Sequence, residues 1–163
     1  MKTFTKISSE HKEYFIQLLG EENVFFKPEQ LNEFGHDETE DFVFPPEVAL
    51  TPRNTEQVSK VMTYCFKNHI PVTPIGSQTG LSGGALSLHG GVGLSMKKMN
   101  KIIQLDEQNL QITVEPGVIT EEIQNAAIEK GLFYAPDPSS KGSCSIGGNL
   151  AENAGGPRAV KYG

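Results

Sequence analysis

The sequence predicts an α+β protein of two lobes, a small parallel βαβ lobe followed by a mainly antiparallel α/β lobe. Three observations carry that reading. Residues 48–50, 55–68 and 71–75 read as strand, helix and strand in close succession, and such a crossover is right-handed and joins parallel strands. Beyond residue 91 the pattern changes to short apolar runs with tight connections at 92–96, 102–105 and 111–115, which is antiparallel patterning. Across the junction of the two patterns, and including a strand of each, runs IPVTPIGSQTGLSGGALSLHGGVGLSM, residues 70–96, without one Asp, Glu, Lys or Arg.

Residues 1–45 read as an N-terminal helical segment. Ser9 is placed as the N-cap of an amphipathic helix through Leu19, with Tyr14, Phe15, Leu18 and Leu19 on one side and Gly20 as its terminator. Residues 24–26 form a strand candidate and 28–34 a short helix. The polar run His36-Asp37-Glu38-Thr39-Glu40-Asp41 follows. It holds metal-ligand types, but carboxylates adjacent in sequence rarely converge on one ion, so it reads as a solvated acidic loop and no metal is expected.

The first lobe spans residues 46–90. Its helix carries Asn54 with Gln57 three positions on, a capping-box arrangement, and Val58, Val61, Met62, Cys65 and Phe66 at helical spacing as its buried stripe. Cys65 is core filler on this reading. The second lobe spans residues 91–163. Residues 106–109 form the turn between two of its strands. Thr120 is placed as the N-cap of a helix with Glu121 and Glu122 in its first turn, Ile123, Ala126 and Ala127 inward, and Gly131 beyond its end. Residues 132–135 return as a strand.

A chain of 163 residues can bury a real core, and a formal charge of −6 without a basic cluster argues against nucleic acid or an anionic membrane surface as the main partner. Cys65 and Cys144 are the only cysteines, which speaks against a disulfide framework and fits a reducing, cytoplasmic setting. No apolar run reaches the length of a membrane span, and residues 1–15 lack the apolar centre of a signal peptide.

The glycines carry the chemistry. Seven of the 17 lie within residues 70–96 and six more within residues 136–163. Glycine lets a backbone approach a ligand that a Cβ would hold away, and a glycine-rich turn leaving a strand makes a nest of N–H groups that binds anionic oxygens without Lys or Arg. A phosphate or pyrophosphate is the natural guest; a flexible surface loop is the alternative. Neither the P-loop nor the dinucleotide fingerprint is present, because Gly80 is followed by Leu81 and Ser82 and the interval from Gly76 to Gly80 is wrong. In the second cluster Ser145 reads as an N-cap, with Gly147 and Gly148 in the first turn of a helix to about Asn153. Two helical glycines cost about 1 kcal/mol each relative to alanine. Ligand approach to the free N–H groups would justify them; tight packing of the helix against a sheet is the other account. Two clusters of this kind suit one shared ligand in a single cleft between the lobes.

Taken in order, these pieces resemble the flavin-binding domain of the FAD-linked oxidase family, which includes vanillyl-alcohol oxidase, and within it the branch of the glycolate oxidase D subunit, D-lactate dehydrogenase and D-2-hydroxyglutarate dehydrogenase. The resemblance runs from residue 46 to 163 and is most specific in PIGSQTGLSGGA, PDPSS and SIGGNLAENAGGPRAVKYG. It implies that the first loop wraps the FAD pyrophosphate through Pro74, Gly76, Ser77, Gln78, Thr79, Gly80 and Leu81. The second stretch would approach the pyrophosphate, ribityl chain and isoalloxazine through Pro138, Ser139, Ser145, Gly147, Gly148, Asn149 and Asn153. Relatives usually carry Arg where this chain has Ile75, and a Gly-Gly pair where it has Ser77-Gln78. No His lies within residues 74–88 and Cys144 is one position off the place of a flavin-linking Cys, so the FAD is expected to be non-covalent.

The resemblance implies the FAD-binding part of a dehydrogenase of D-2-hydroxy acids, with hydride passing from substrate C2 to flavin N5. Relatives continue with further strands and a substrate domain, so the fold is read as C-terminally truncated and this stretch alone as inactive. No residue is assigned a catalytic role. Unpaired strand edges would favour self-association. Two alternatives stand beside this reading: a flavin domain of another oxidoreductase of the same fold, and a non-enzymatic nucleotide- or phosphate-binding module.

Overall fold

The apolar runs at residues 48–50 and 92–95 become the two central strands of a four-stranded sheet in the computed structural model, which describes residues 4–39 and 42–162. The strands β1 (Val24–Phe25), β2 (Val48–Leu50), β3 (Val72–Ile75) and β4 (Val92–Ser95) lie in the order β1-β2-β4-β3. Both β2 and β3 run parallel to β4, and β1 is antiparallel to β2. Every residue of β2 and β4 is buried, as strands covered on both faces must be.

Helices α1 (Ser9–Leu19) and α3 (Thr55–Lys67) contribute to one core, where Phe15, Leu19, Val61 and Cys65 meet Val48, Leu50, Val92 and Leu94. A second cluster joins Phe34, Ala49 and Ile75, with Leu31 of α2 (Pro28–Asn32) packed against it. Apolar side chains from residues 7–34 thus complete the core of the sheet.

Four local expectations are corrected here. The cap of α1 is Ser8, whose hydroxyl accepts from the His11 N–H while the His11 ring accepts from the Ser8 N–H. Asn54 does cap α3 by accepting from the Gln57 N–H, but the Gln57 side chain accepts from Arg53 rather than closing a box on Asn54. Met62 and Phe66 are exposed, 45% and 85%. One residue is a 100° turn of the helix, so the stripe through Val58, Val61 and Cys65 leaves both outside. Finally, the strand at 92–96, expected to open an antiparallel lobe, sits parallel between β2 and β3. The chain forms two compact units, residues 1–98 and 99–163, and this strand belongs to the first.

The second unit contains a two-stranded antiparallel sheet of β5 (Ile102–Asp106) and β6 (Gln111–Val114), with a register shift between Ile102 and Gln104. Asp106 closes their turn by accepting from the N–H groups of Gln108 and Asn109. Helices α4 (Thr120–Glu129), α5 (Ile146–Glu152) and α6 (Ala159–Tyr162) follow. Val118, Ile123 and Ile146 form the core, joined by Ile112, Val114 and Tyr134. Thr120 is the first residue of α4, not its cap; Ile119 occupies the cap position, and the Thr120 hydroxyl turns inward. Residues 132–135 form no strand, because no described strand offers them a ladder. The Gln124 side chain holds that stretch by donating to the Pro136 carbonyl at 2.7 Å. Glu40, Asp41 and Gly163, which belong to the acidic run and the terminal motif, lie outside the described residues.

Candidate functional site

In the first unit, β3 pairs with β4 through Pro74 and Ile75, and the chain leaves the sheet at Gly76. Ile75 is buried and anchors the exit, while its carbonyl accepts from the Met96 N–H at 3.0 Å. Beyond it the backbone is free of secondary structure. The N–H groups of residues 76–80 donate to no acceptor among the described residues. Such a succession of undonated amides on a short loop is the donor set that an anionic oxygen requires. Gly80 has nothing within 4 Å of the place where a Cβ would stand, so its glycine is not demanded by packing. Leu81 is 75% exposed, Pro74 and Ser77 are exposed, and Thr79 is half-buried.

Gln78 has a different role from its neighbours. Its φ is +60°, in the left-handed region that disfavours residues with a Cβ. Its side-chain nitrogen donates to the carbonyls of Glu33 and His36 at 3.0 and 2.5 Å. The Gly80 carbonyl accepts from the Glu38 N–H at 3.0 Å. Nothing in the sequence signals these bonds, since the partners lie more than forty positions apart.

In the second unit, an isolated antiparallel bridge between Ile119 and Ser145 presents the start of α5. The first two amides of that helix are already used: Ile146 donates to the Val118 carbonyl at 2.9 Å and Gly147 to the Pro116 carbonyl at 2.8 Å. A Cβ on Gly147 would stand 2.9 Å from both the Pro116 carbonyl oxygen and its Cβ, so close packing dictates this glycine. Gly148 differs. Only the Ser145 hydroxyl lies near its Cβ position, at 3.7 Å, an ordinary contact. That hydroxyl is buried, caps no helix amide and has no hydrogen-bond partner among the described residues. An orphaned buried hydroxyl is costly, and a ligand acceptor or donor is one way to satisfy it.

The remaining candidates of this stretch are engaged within the protein. The Asn149 side-chain nitrogen donates to the Thr120 hydroxyl, which also contacts the Cys144 sulfur at 3.2 Å. Asn153 ends α5 in the left-handed region with φ +53° and its N–H on the Asn149 carbonyl. Pro138 is buried and its carbonyl accepts from the Lys141 N–H, while Ser139 is exposed. Asp137, just before them, is paired with Lys141 at 2.8 Å and Arg158 at 3.3 Å. The Lys141 hydrogen bond leads the interactions that hold its carboxyl below the usual range. A mainly apolar groove in this unit, lined by Leu105, Ile112, Ile123, Phe133 and Tyr134 among others, includes none of these residues. Among the described residues no group of three His, Cys, Asp or Glu side chains is placed to hold a metal ion.

The undonated amides of residues 76–80 and the open position of Gly80 fit the pyrophosphate of a dinucleotide cofactor, which needs fixed N–H donors and room for close approach. The chain belongs to the FAD-binding domain family, which it matches over residues 46–163. FAD is therefore the cofactor. Its relatives include the glycolate oxidase subunit GlcD of Bacillus subtilis, 43% identical over 96% of this chain and 33% of that protein. The D-lactate dehydrogenase of Anaerostipes hadrus is 42% identical over 98% of this chain and 34% of that protein. Among solved structures, p-cresol methylhydroxylase with bound substrate superposes with a TM-score of 0.65 at 32% identity, covering 76% of this chain and 26% of the other. Alkyldihydroxyacetonephosphate synthase, at 17% identity and a TM-score of 0.86 over the whole of this chain and 32% of the other, shares the fold. The chain spans about a third of the length of the curated relatives it matches.

Proposed function

We propose that this chain binds FAD non-covalently for a flavin-dependent oxidoreductase that oxidises a D-2-hydroxy acid of the glycolate, D-lactate or D-2-hydroxyglutarate type. The observation that carries the FAD part is the run of undonated amides at residues 76–80 beside the open position of Gly80. The substrate class rests on the glycolate, D-lactate and D-2-hydroxyglutarate relatives. FAD, when bound, supplies the two-electron acceptor. The chain supplies the rest of what it holds: loop 76–80 takes the pyrophosphate oxygens on its backbone N–H groups. Ser145, whose buried hydroxyl is unpartnered among the described residues, and the bare edge of Gly148 are the polar and open positions that the second unit offers a ligand. The burial of Cys144 against the Thr120 hydroxyl supports the non-covalent reading.

The buried free thiols of Cys65 and Cys144 support a reducing, cytoplasmic setting. Among the described residues no helix is long and apolar enough to cross a membrane. Self-association through the edges of β5 and β6 belongs to the same reading, supported by Ile102 and Ile103, which are exposed by 39% and 63%. Sedimentation analysis with and without an Ile103→Lys substitution tests that part.

The cofactor reading is tested by titrating the purified chain with FAD and following the visible spectrum and flavin fluorescence, with ATP as competitor. Saturable binding that ATP does not displace is expected. A colourless protein that binds ATP would replace this reading with a nucleotide-binding module.

A further inference from the structure

The amide loop is tied to residues 33–38, a strap of the same unit. Two carbonyls of that strap, Glu33 and His36, receive both bonds from the Gln78 side-chain nitrogen, and its Glu38 N–H donates to the Gly80 carbonyl. The strap is itself fixed. Phe34 is buried in the second core cluster, Asp37 is 8% exposed, and the Asp37 carboxylate accepts from both the N–H and the hydroxyl of Thr39. The bonds join residues 42 and 45 positions apart.

A Gln amide nitrogen carries two donors, and both are directed at protein carbonyls, so this end of the side chain has none left for a ligand. At the same time the backbone of Gln78 occupies φ +60°, where a glycine would sit without strain. A residue that accepts an unfavourable backbone conformation while its side chain is tied to a distant segment is over-determined by its surroundings, and such positions cluster at ligand clamps. Glycine here would permit the same turn but leave the loop free to adopt many others.

We propose that Gln78 is a positioning residue: through its bonds to Glu33 and His36 it preorganises the amides of residues 76–80 for the pyrophosphate of FAD, without touching the cofactor by its side-chain nitrogen. The proposal rests on the reading that this loop holds FAD. A binding-competent loop conformation populated only fractionally raises the apparent Kd by the inverse of that fraction. Releasing the clamp so that about a tenth of the molecules keep the loop open therefore weakens FAD binding about tenfold.

The test uses the full chain with three substitutions. Gln78→Glu keeps the length but presents carboxylate oxygens to two carbonyls. Gln78→Ala removes the reach, and Gln78→Gly removes the reach while relieving the backbone. Two quantities are measured: the FAD Kd by flavin fluorescence, and hydrogen exchange of the Glu38 amide in the cofactor-free protein by NMR. All three are expected to weaken FAD binding about tenfold and to speed Glu38 exchange, with melting temperatures that do not track the loss. Wild-type affinity in Gln78→Glu or Gln78→Gly, or unchanged Glu38 exchange, overturns the clamp. Should Gln78→Ala fail to fold, Gln78→Gly gives the same reading without the strained φ. Gly80→Val serves as the reference. If it abolishes FAD binding while the Gln78 variants keep it, the clamp alone is wrong. If the wild-type chain takes up no FAD at all, the cofactor reading falls and the clamp with it.

Discussion

The Gly147 amide donates to the Pro116 carbonyl at 2.8 Å, and the same carbonyl oxygen stands 2.9 Å from where a Cβ on Gly147 would lie. The hydrogen bond and the missing side chain are one feature, since the helix start can dock on Pro116 only if nothing projects between them. Gly148, one position on, meets only the Ser145 hydroxyl at 3.7 Å. Two adjacent glycines thus answer to different physics.

Gly147→Ala is expected to cost about 1–3 kcal/mol, because a backbone atom of Pro116 has to move and overpacking is only partly offset by alanine's helix preference. Gly148→Ala is expected to be neutral or to stabilise by up to about 1 kcal/mol while weakening FAD binding. Urea unfolding of the cofactor-free variants, set beside FAD titration, separates the two. Equal stability losses in both would show that the helix start is packed alike at the two positions.

Gly80→Val should leave the melting temperature of the free protein unchanged, since the position has open space and no positive φ. It should weaken FAD binding by two orders of magnitude or about 3 kcal/mol, the scale of losing fixed donors to a charged group. Flavin fluorescence titration reads this directly, and unaltered affinity in the folded variant would place the cofactor elsewhere.

Acid should destabilise the first unit through Glu47. Burial pushes its carboxyl up, but the bonds from Lys6, the Ile7 N–H and the Gly91 N–H outweigh that and hold it below the ordinary value. A carboxyl depressed in the folded state contributes stability that is present above its unfolded pKa and is lost as pH falls through the folded one. Melting temperature is therefore expected to hold from pH 7 to about 5 and to drop below about 4. Glu47→Gln should cost about 1 kcal/mol at pH 7 and flatten part of that drop. Asp137, depressed first by its Lys141 hydrogen bond, adds to the same acid limb in the second unit.

Neither thiol should react in the folded protein. Cys65 is 1% exposed and burial pushes its thiol up to about 12, while Cys144 is 4% exposed. Ellman's reagent is expected to find no fast-reacting thiol in the native chain and both after denaturation. Rapid native reaction of Cys144 would mean that the region before α5 opens far more readily than its hydrogen bonds imply.

Much of this was legible in the chain itself. The absence of Asp, Glu, Lys and Arg across 70–96 and the crowding of glycines at the exit of residues 71–75 pointed to a backbone-lined loop, because both are local choices of side chain. The capping of α3 by Asn54 and the burial of Val61 and Cys65 followed from spacing alone.

What stayed hidden was non-local. The run at 92–96 looked like one more short strand, and only its insertion between β2 and β3 made it parallel: a strand buried on both faces has no alternation to reveal its direction. The sequence marked Gln78 as a departure but could not supply Glu33 and His36 as its partners, since hydrogen bonds between distant segments leave no periodicity. Nor could it divide Gly147 from Gly148. Composition determined by itself that a backbone would approach something closely; the tertiary structure decided whether that something was Pro116 or open space, because a missing Cβ reads the same until its neighbour is in place.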